Sequence, residues 1–251
     1  MNDRINICGV WINNVTRAEA IGRIERLIAE RKPSYVVTPN VDHVVRFQTD
    51  ADFRRIYDGA SLVTADGMPL LWAGRFLGTP FKERVCGSDL LPDFCAAAAA
   101  KGYKIFFLGG APAAADKAAE VLTKRHPGLR IVGSYCPPFG FEKDEEENRK
   151  IVERIKGTAP DILFVGLGSP KQEKWPLRFK EDLGVPVSIG VGVTFSFIAG
   201  DVKRAPRWMR DLGLEWLWRL MAEPGRLWKR YLVEDPVFFW LVWKQKLGRK
   251  K

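Results

Sequence analysis

Short runs rich in β-branched and aromatic residues alternate along the chain with segments whose apolar positions recur at helical spacing. The runs Tyr35–Thr38, Ser61–Thr64, Lys104–Leu108, Arg130–Gly133, Asp161–Gly166 and Pro186–Val191 predict strands. The pattern between them predicts helices over about 16–31, 43–57, 69–76, 88–101, 112–126, 144–156 and 171–183. In the first helix Ala20, Ile21, Ile24, Leu27 and Ile28 supply an apolar side, and Arg17, Glu19, Arg23, Glu25 and Arg26 a polar one. Runs such as Ile105-Phe106-Phe107-Leu108 and Ile162-Leu163-Phe164-Val165 are apolar at consecutive positions, so both strand faces must be covered. Repeated strand-helix-strand order with two-faced burial predicts an α/β fold, a Rossmann-like, mostly parallel sheet between helix layers. Ligands in such folds sit outside the carboxyl ends of the strands.

The alternation stops near Gly200. From Arg204 onward there is no strand pattern, only two or three helices broken at Pro206, Pro224 and Pro236. The chain therefore divides into a core over 1–200 and a C-terminal helical appendage over 201–251, with no internal repeat. At 251 residues, 46% apolar and 28% charged, it can bury a sizeable core, which argues against a disordered chain or a disulfide scaffold. The net charge of +10 is concentrated in one place. Residues 201–251 carry thirteen Lys and Arg against six Asp and Glu, and six of the nine tryptophans. A basic, Trp-rich segment suits an anionic membrane surface, a nucleic acid or a polyanionic substrate.

Cys8, Cys86, Cys95 and Cys136 form no C-x-x-C pair, and with only His43 and His126 beside them no zinc spacing can be assembled. Met1 to Thr16 lacks the continuous apolar stretch of a signal peptide, and no segment reaches the ~18–20 apolar residues needed to cross a bilayer. A cytoplasmic chain with reduced thiols is expected.

Chemistry should gather at the strand ends. Thr38 and Asn40 leave the first strand with Pro39 fixing the backbone between them, so they could grip a sugar or a base; Asn40 could equally cap the next helix. Asp66, followed by Gly67, places a carboxylate at the crevice. A helix N-terminus just beyond would keep it ionised, and it can serve as a general base, with a cap again the competing role. Gly109-Gly110 opens an alanine-rich helix whose backbone amides favour an anion, but no full G-x-G-x-x-G is present, which disfavours a nicotinamide enzyme. Gly166-Leu167-Gly168-Ser169-Pro170-Lys171-Gln172-Glu173 concentrates donors and a cation at a fourth strand end, without the order of a Walker loop. Gly190-Val191-Gly192 adds a fifth, where a close ligand or close packing would need glycine equally.

Taken in order with Arg84, Gly87, Arg204-Ala205-Pro206, Gly213-Leu214-Glu215-Trp216, Arg219-Leu220, Glu223-Pro224, Arg226 and Arg230-Tyr231, these residues resemble the WecG/TagA/CpsF family of bacterial glycosyltransferases over about 5–232. Each piece is common, whereas the ordered set is specific. The resemblance implies a GT-E type core and an inverting, metal-independent transferase that needs no cofactor. Its donor would be a UDP-sugar, with N-acetylmannosamine the best-known unit, and its acceptor a polyprenyl-diphosphate-linked saccharide. The products would feed teichoic acid linkage units, enterobacterial common antigen or exopolysaccharide, the last with glucosyl or uronosyl donors. By the same likeness Asp66 would be the base on the acceptor hydroxyl, Thr38, Asn40 and Gln172 would touch a sugar, and Arg84 would stabilise the reacting groups. Arg219, Arg226 and Arg230 would fold over the active site toward the diphosphate. The physical reading agrees: a diphosphate leaving group needs fixed cations and amides, and no Asp-x-Asp pair stands at a strand end to carry a metal. Ser196 stands where family members commonly have Asp, which bears on donor choice.

In the appendage, Val237-Phe238-Phe239-Trp240-Leu241-Val242-Trp243 followed by Lys244, Lys246, Arg249, Lys250 and Lys251 is too short to span a bilayer and suits a helix lying in the interface. Packing on the core or a homo-oligomer contact is the competing use. A nucleic-acid partner is disfavoured, because stacking platforms are isolated aromatics among polar residues rather than continuous apolar runs. The expected location is cytoplasmic, peripheral on the inner face of the membrane.

Overall fold

The computed structural model describes residues 3–248. Strands β1 (Arg4–Ile7) and β2 (Val10–Asn13) pair as an antiparallel hairpin. Strands β3 (Ser34–Val37), β4 (Leu62–Val63), β5 (Lys104–Gly109), β6 (Arg130–Tyr135), β7 (Ile162–Gly166) and β8 (Val187–Gly190) form an all-parallel sheet in the order β4-β3-β8-β7-β5-β6. The α/β expectation holds. Its physical reason is visible in β5, where Ile105 and Phe107 enter one buried cluster and Phe106 and Leu108 another on the opposite face.

Helices α1 (Arg17–Glu30), α5 (Gly87–Lys101), α6 (Ala114–Arg125) and α10 (Thr194–Ala199) cover the first face. The start of α1 is fixed by a reciprocal capping box: the Glu19 N–H donates to Thr16 Oγ1 at 3.2 Å and the Thr16 N–H to Glu19 Oε2 at 2.8 Å. On the other face lie α2 (Val41–Thr49), α3 (Ala51–Asp58), α4 (Met68–Phe76), α7 (Glu145–Thr158), α8 (Lys171–Arg178) and α9 (Lys180–Leu183). The helix expected over 43–57 is two, because Asp50 ends α2 and turns its carboxylate to the Phe53 N–H at 2.9 Å as the cap of α3. The helix expected over 171–183 likewise breaks at Phe179.

Besides a 3-10 turn over Phe141–Lys143, two elements of the core lie where no regular structure was expected. The β1–β2 hairpin turns on Cys8 and Gly9, both at positive φ, and buries Ile5, Ile7, Val10 and Ile12. Helix α10 begins directly after the glycines of the fifth strand end.

The appendage holds more helices than expected. Helices α11 (Arg207–Asp211), α12 (Glu215–Ala222) and α13 (Pro224–Lys229), a π turn at Arg230–Glu234, and α14 (Val237–Gly248) follow one another. Pro206 and Pro224 stand at helix starts, as the sequence suggests, and Gly213 makes one further break at φ +74. Helix α14 folds back: Phe238 and Val242 are buried in the same cluster as Ile5, Ile7 and Leu70, and Gln245 accepts from the Cys8 N–H at 2.7 Å and donates to Asn6 O at 3.0 Å. The last helix of the appendage therefore packs on the hairpin and α4 of the core. Among the described residues no helix is long and apolar enough to cross a membrane.

Candidate active site

The carboxyl ends of β3, β4, β5, β7 and β8 open into one cavity of about 990 Å³, closed on its far side by α12, α13 and the π turn. At the end of β3, Thr38 is buried against it. Asn40 lines the cavity and takes the capping role: its Oδ1 caps α2 through the His43 N–H at 3.2 Å and also accepts from Arg230 Nη2 at 3.3 Å. At the end of β4 the Asp66 N–H donates to Pro39 O at 2.9 Å, which ties the two strand ends together.

The Asp66 side chain caps nothing, since α4 starts at Gly67 without a side-chain cap, so the carboxyl is left to the cavity. The helix start just beyond it does not hold its pKa down. Burial, helped by the nearby carboxylates of Glu215 and Asp89, pushes its pKa up to about 7, against the opposing pull of Arg84 and Arg204. Such a group is a proton acceptor with real affinity for a proton near neutrality.

Six arginines line the cavity against four carboxyls: Arg84, Arg204, Arg210, Arg219, Arg226 and Arg230 face Asp66, Glu215, Glu223 and Asp235. The Arg219 guanidinium makes no hydrogen bond or ion pair among the described residues, and its charge faces the Tyr231 hydroxyl. Arg226 is exposed and paired one turn away with Glu223 at 2.5 Å. Arg230 reaches Asp42 at 3.8 Å and Asp235 at 3.9 Å, besides Asn40. Arg84 is held by Asp89 at 3.0 Å and lies 3.6 Å from Glu215. The surplus of positive charge suits an anionic ligand.

A model of the glycosyl transferase WecG/TagA/CpsF family matches residues 5–251. The chain belongs to that family. It is 30% identical over 252 residues to proteins of Staphylococcus aureus strains NCTC 8325 / PS 47 and COL, covering 99% of this chain and 95% of theirs. Each is named N-acetylglucosaminyldiphosphoundecaprenol N-acetyl-beta-D-mannosaminyltransferase, as is a protein of strain MRSA252 with the same identity and coverage.

In this glycosyltransferase the remaining residues expected at the site divide. Gly110 and Gly168 line the cavity, as does buried Gln172. Gln172 spends both ends of its amide inside the protein: Oε1 accepts from the Gly192 N–H at 2.9 Å, and Nε2 donates to Glu173 Oε1 at 2.7 Å. It thereby pins the loop after β8 beside the cavity. Gly109 and Lys171 are not brought to the cavity wall. A Cβ on Gly109 would stand 2.8 Å from Leu167 Cδ2 and 2.9 Å from the Gly166 carbonyl, so that glycine serves the close pairing of β5 with β7. The Lys171 amine pairs with Glu142 at 2.6 Å and lies 5.0 Å from the Phe139 ring centroid, because the first turn of α8 presents Gln172 and not Lys171 inward.

Residue-by-residue reading missed other wall residues. His43 is buried with Nδ1 at 2.9 Å from the Tyr57 hydroxyl, and burial lowers its pKa, leaving it neutral. Ser169 has a buried Oγ without a partner. Arg204 and Glu215, quoted only as parts of a motif, join the appendage to Asp89 and Arg84, with Arg210 3.5 Å from Asp89 beside them. Only their separation in sequence conceals that.

Proposed function

We propose that this glycosyltransferase transfers N-acetylmannosamine from a UDP-sugar to a polyprenyl-diphosphate-linked N-acetylglucosamine, with inversion and without a metal. The product would be a teichoic-acid type linkage unit. The observation that carries the reading is the raised carboxyl of Asp66 facing an arginine-rich cavity, in a chain that spans nearly the whole length of relatives named for that transfer. The acceptor hydroxyl hydrogen-bonds to Asp66 and gives it the proton as its oxygen attacks the anomeric carbon. The bond from that carbon to the diphosphate oxygen breaks on the opposite face, and the electron pair leaves with UDP. Arg84, Arg219, Arg226 and Arg230 meet the charge that grows on the diphosphate, a task in which guanidinium forks replace a metal. Thr38, Asn40 and Gln172 border the sugars, and Gly110 and Gly168 let backbone approach the phosphates.

The acceptor's lipid calls for a membrane surface, and we place the enzyme peripherally on the cytoplasmic face. Trp228, Phe239, Trp240 and Trp243 remain exposed after α14 has docked, on the appendage that borders the cavity. Ser196, buried at the cavity wall, makes a glucosyl or uronosyl donor the second reading. A screen of UDP-sugars with a short-chain lipid-diphosphate-N-acetylglucosamine acceptor, run with and without chelator, tests both. UDP release with the N-acetylmannosamine donor, undiminished by chelator, is expected. Release only with another donor would move the assignment to the second reading, and loss with chelator would remove metal independence.

A further inference from the structure

Four charged groups close a ring across the junction between core and appendage. Asp89 on α5 and Glu215 on α12 alternate with Arg84 from the loop before α5 and Arg204 from the segment before α11. The two carboxylates are not equivalent. Asp89 makes contacts of hydrogen-bond length, 2.6 Å to Arg204 Nη1 and 3.0 Å to Arg84 Nη2, accepts from Cys86 Sγ at 3.0 Å, and lies 3.5 Å from Arg210 Nη1 at the edge of the ring. Those bonds outweigh the effect of burial and hold its pKa down at about 2. Asp89 does not line the cavity, whereas Glu215 does, and Glu215 stands off at 3.6 Å from both Arg84 Nη1 and Arg204 Nε. At that separation there is Coulomb attraction without a hydrogen bond. Consistent with this, Arg204 Nε is buried without a hydrogen-bond partner, as is Nε of neighbouring Arg210. A buried donor left in that state is costly and would gain from a closer acceptor.

We propose that Glu215 is a displaceable counter-charge that keeps Arg84 and Arg204 from weakly charged anions and yields its place to the diphosphate of the donor. Asp89 is the fixed partner that aims the two arginines, and Glu215 is the gate on them. An anion gains this pair of guanidinium groups only if it outcompetes a carboxylate already there. A diphosphate does so with two charged phosphoryl groups and additional acceptor oxygens that reach both guanidinium groups, and a monophosphate does not. Glu215 therefore acts as a specificity-determining residue for diphosphate over monophosphate, which rests on the nucleotide-diphosphate donor proposed above. It also couples the appendage to the base. Asp66 is faced by Arg84 and Cys86 from the loop, by Asp89 from α5, and by Arg204 and Glu215 from the appendage. Withdrawing Glu215 removes the carboxylate that most opposes ionisation of Asp66.

The test is calorimetric titration of the full-length protein with inorganic diphosphate and with inorganic phosphate, comparing the native protein with Glu215→Gln and Asp89→Asn. Glu215→Gln should bind both anions tighter, by about three- to tenfold for loss of two partly screened contacts, with the larger gain for phosphate so that discrimination narrows. Asp89→Asn should bind both more weakly. Unchanged or weaker binding by Glu215→Gln would make Glu215 a strut that orients the arginines, and would overturn the proposal. Glu215→Ala, judged by the same criterion, substitutes if the Gln variant does not fold. A second readout is the pH dependence of kcat/KM, whose acidic limb should move to lower pH in Glu215→Gln; an unmoved limb would overturn the coupling. Native protein that binds inorganic diphosphate yet releases UDP from no UDP-sugar would refute the donor assignment and leave the titration criterion standing.

Discussion

At the scale of single residues, the chemistry turns on Asp66, whose usefulness and cost have one origin. Its pKa of about 7 lies above the ordinary 3.8 because the half-buried carboxyl is desolvated and lies near other carboxylates. The folded protein therefore binds a proton that the unfolded chain has released over the window from about pH 4 to 7. Stability falls as pH rises through that window, and the full penalty is present above it. Asp66→Asn should accordingly be more stable than the native protein at pH 8, on the order of 4 kcal/mol by denaturant titration, and show little advantage at pH 4. The same change should cut turnover by roughly 10²–10⁴-fold, as expected for loss of a general base, while UDP binding persists. In the native enzyme kcat/KM should rise with pH to a plateau above about 7 if Asp66 accepts the proton. Near-normal turnover in the Asn variant would remove Asp66 as the base.

At the scale of elements, the appendage is positioned by a few close approaches. Gly213 lies at φ +74, where a Cβ would stand 2.6 Å from Trp72 Cζ2 and 2.8 Å from Met68 Cβ on α4. Gly213→Val should lift α11 and α12 from α4, lowering kcat at least about tenfold while core stability falls by no more than ~3 kcal/mol. Steady-state kinetics beside thermal unfolding would separate the two effects. Phe238→Ala should behave oppositely, since Phe238 is fully buried with the hairpin residues, and should cost about 3–5 kcal/mol in unfolding free energy. Elements that bury both faces were legible in the sequence, because residues such as Phe106 and Phe107 write a continuous apolar run. The β1–β2 hairpin was harder to see because its strands have four residues each, although the alternation Ile5, Ile7, Val10 and Ile12 around Cys8-Gly9 carried the signal. Glycine and polar residues at the strand ends marked where the cavity would form. They did not distinguish Gly109, which packs strands, from Gly110, which borders the cavity. The ring of Arg84, Asp89, Arg204 and Glu215 was not legible, since it joins two local pairs, Arg84 with Asp89 and Arg204 with Glu215, that meet across more than a hundred residues of chain.

At the scale of the whole molecule, the +10 charge separates into two uses. Arg204, Arg210, Arg219, Arg226 and Arg230 of the appendage line the cavity, whereas Lys244 and Lys246 lie on α14. There the Lys246 amine donates to Phe76 O at 2.7 Å, anchoring the helix on α4, and Lys244 sits 5.2 Å from the Trp240 ring centroid. Arg249, Lys250 and Lys251, expected to meet anionic lipid, lie outside the described residues. Helix α14 is apolar on both sides: Phe238 and Val242 face the core, while Trp240 and Trp243, each 55% exposed, face away. A docked helix that still exposes two tryptophans beside basic residues is suited to a headgroup layer. Sedimentation with vesicles containing anionic lipid should therefore pull down the native protein. Trp240→Ser combined with Trp243→Ser should weaken that binding by about tenfold or more while leaving unfolding unchanged, because neither ring stabilises the core. Raised salt should weaken binding only in part, since lysines give the screened share and tryptophans the unscreened one. If the double variant bound vesicles as well as the native protein but lost a concentration-dependent dimer, the exposed face of α14 would belong to a second copy of the chain. The acceptor would then have to reach the cavity by another surface.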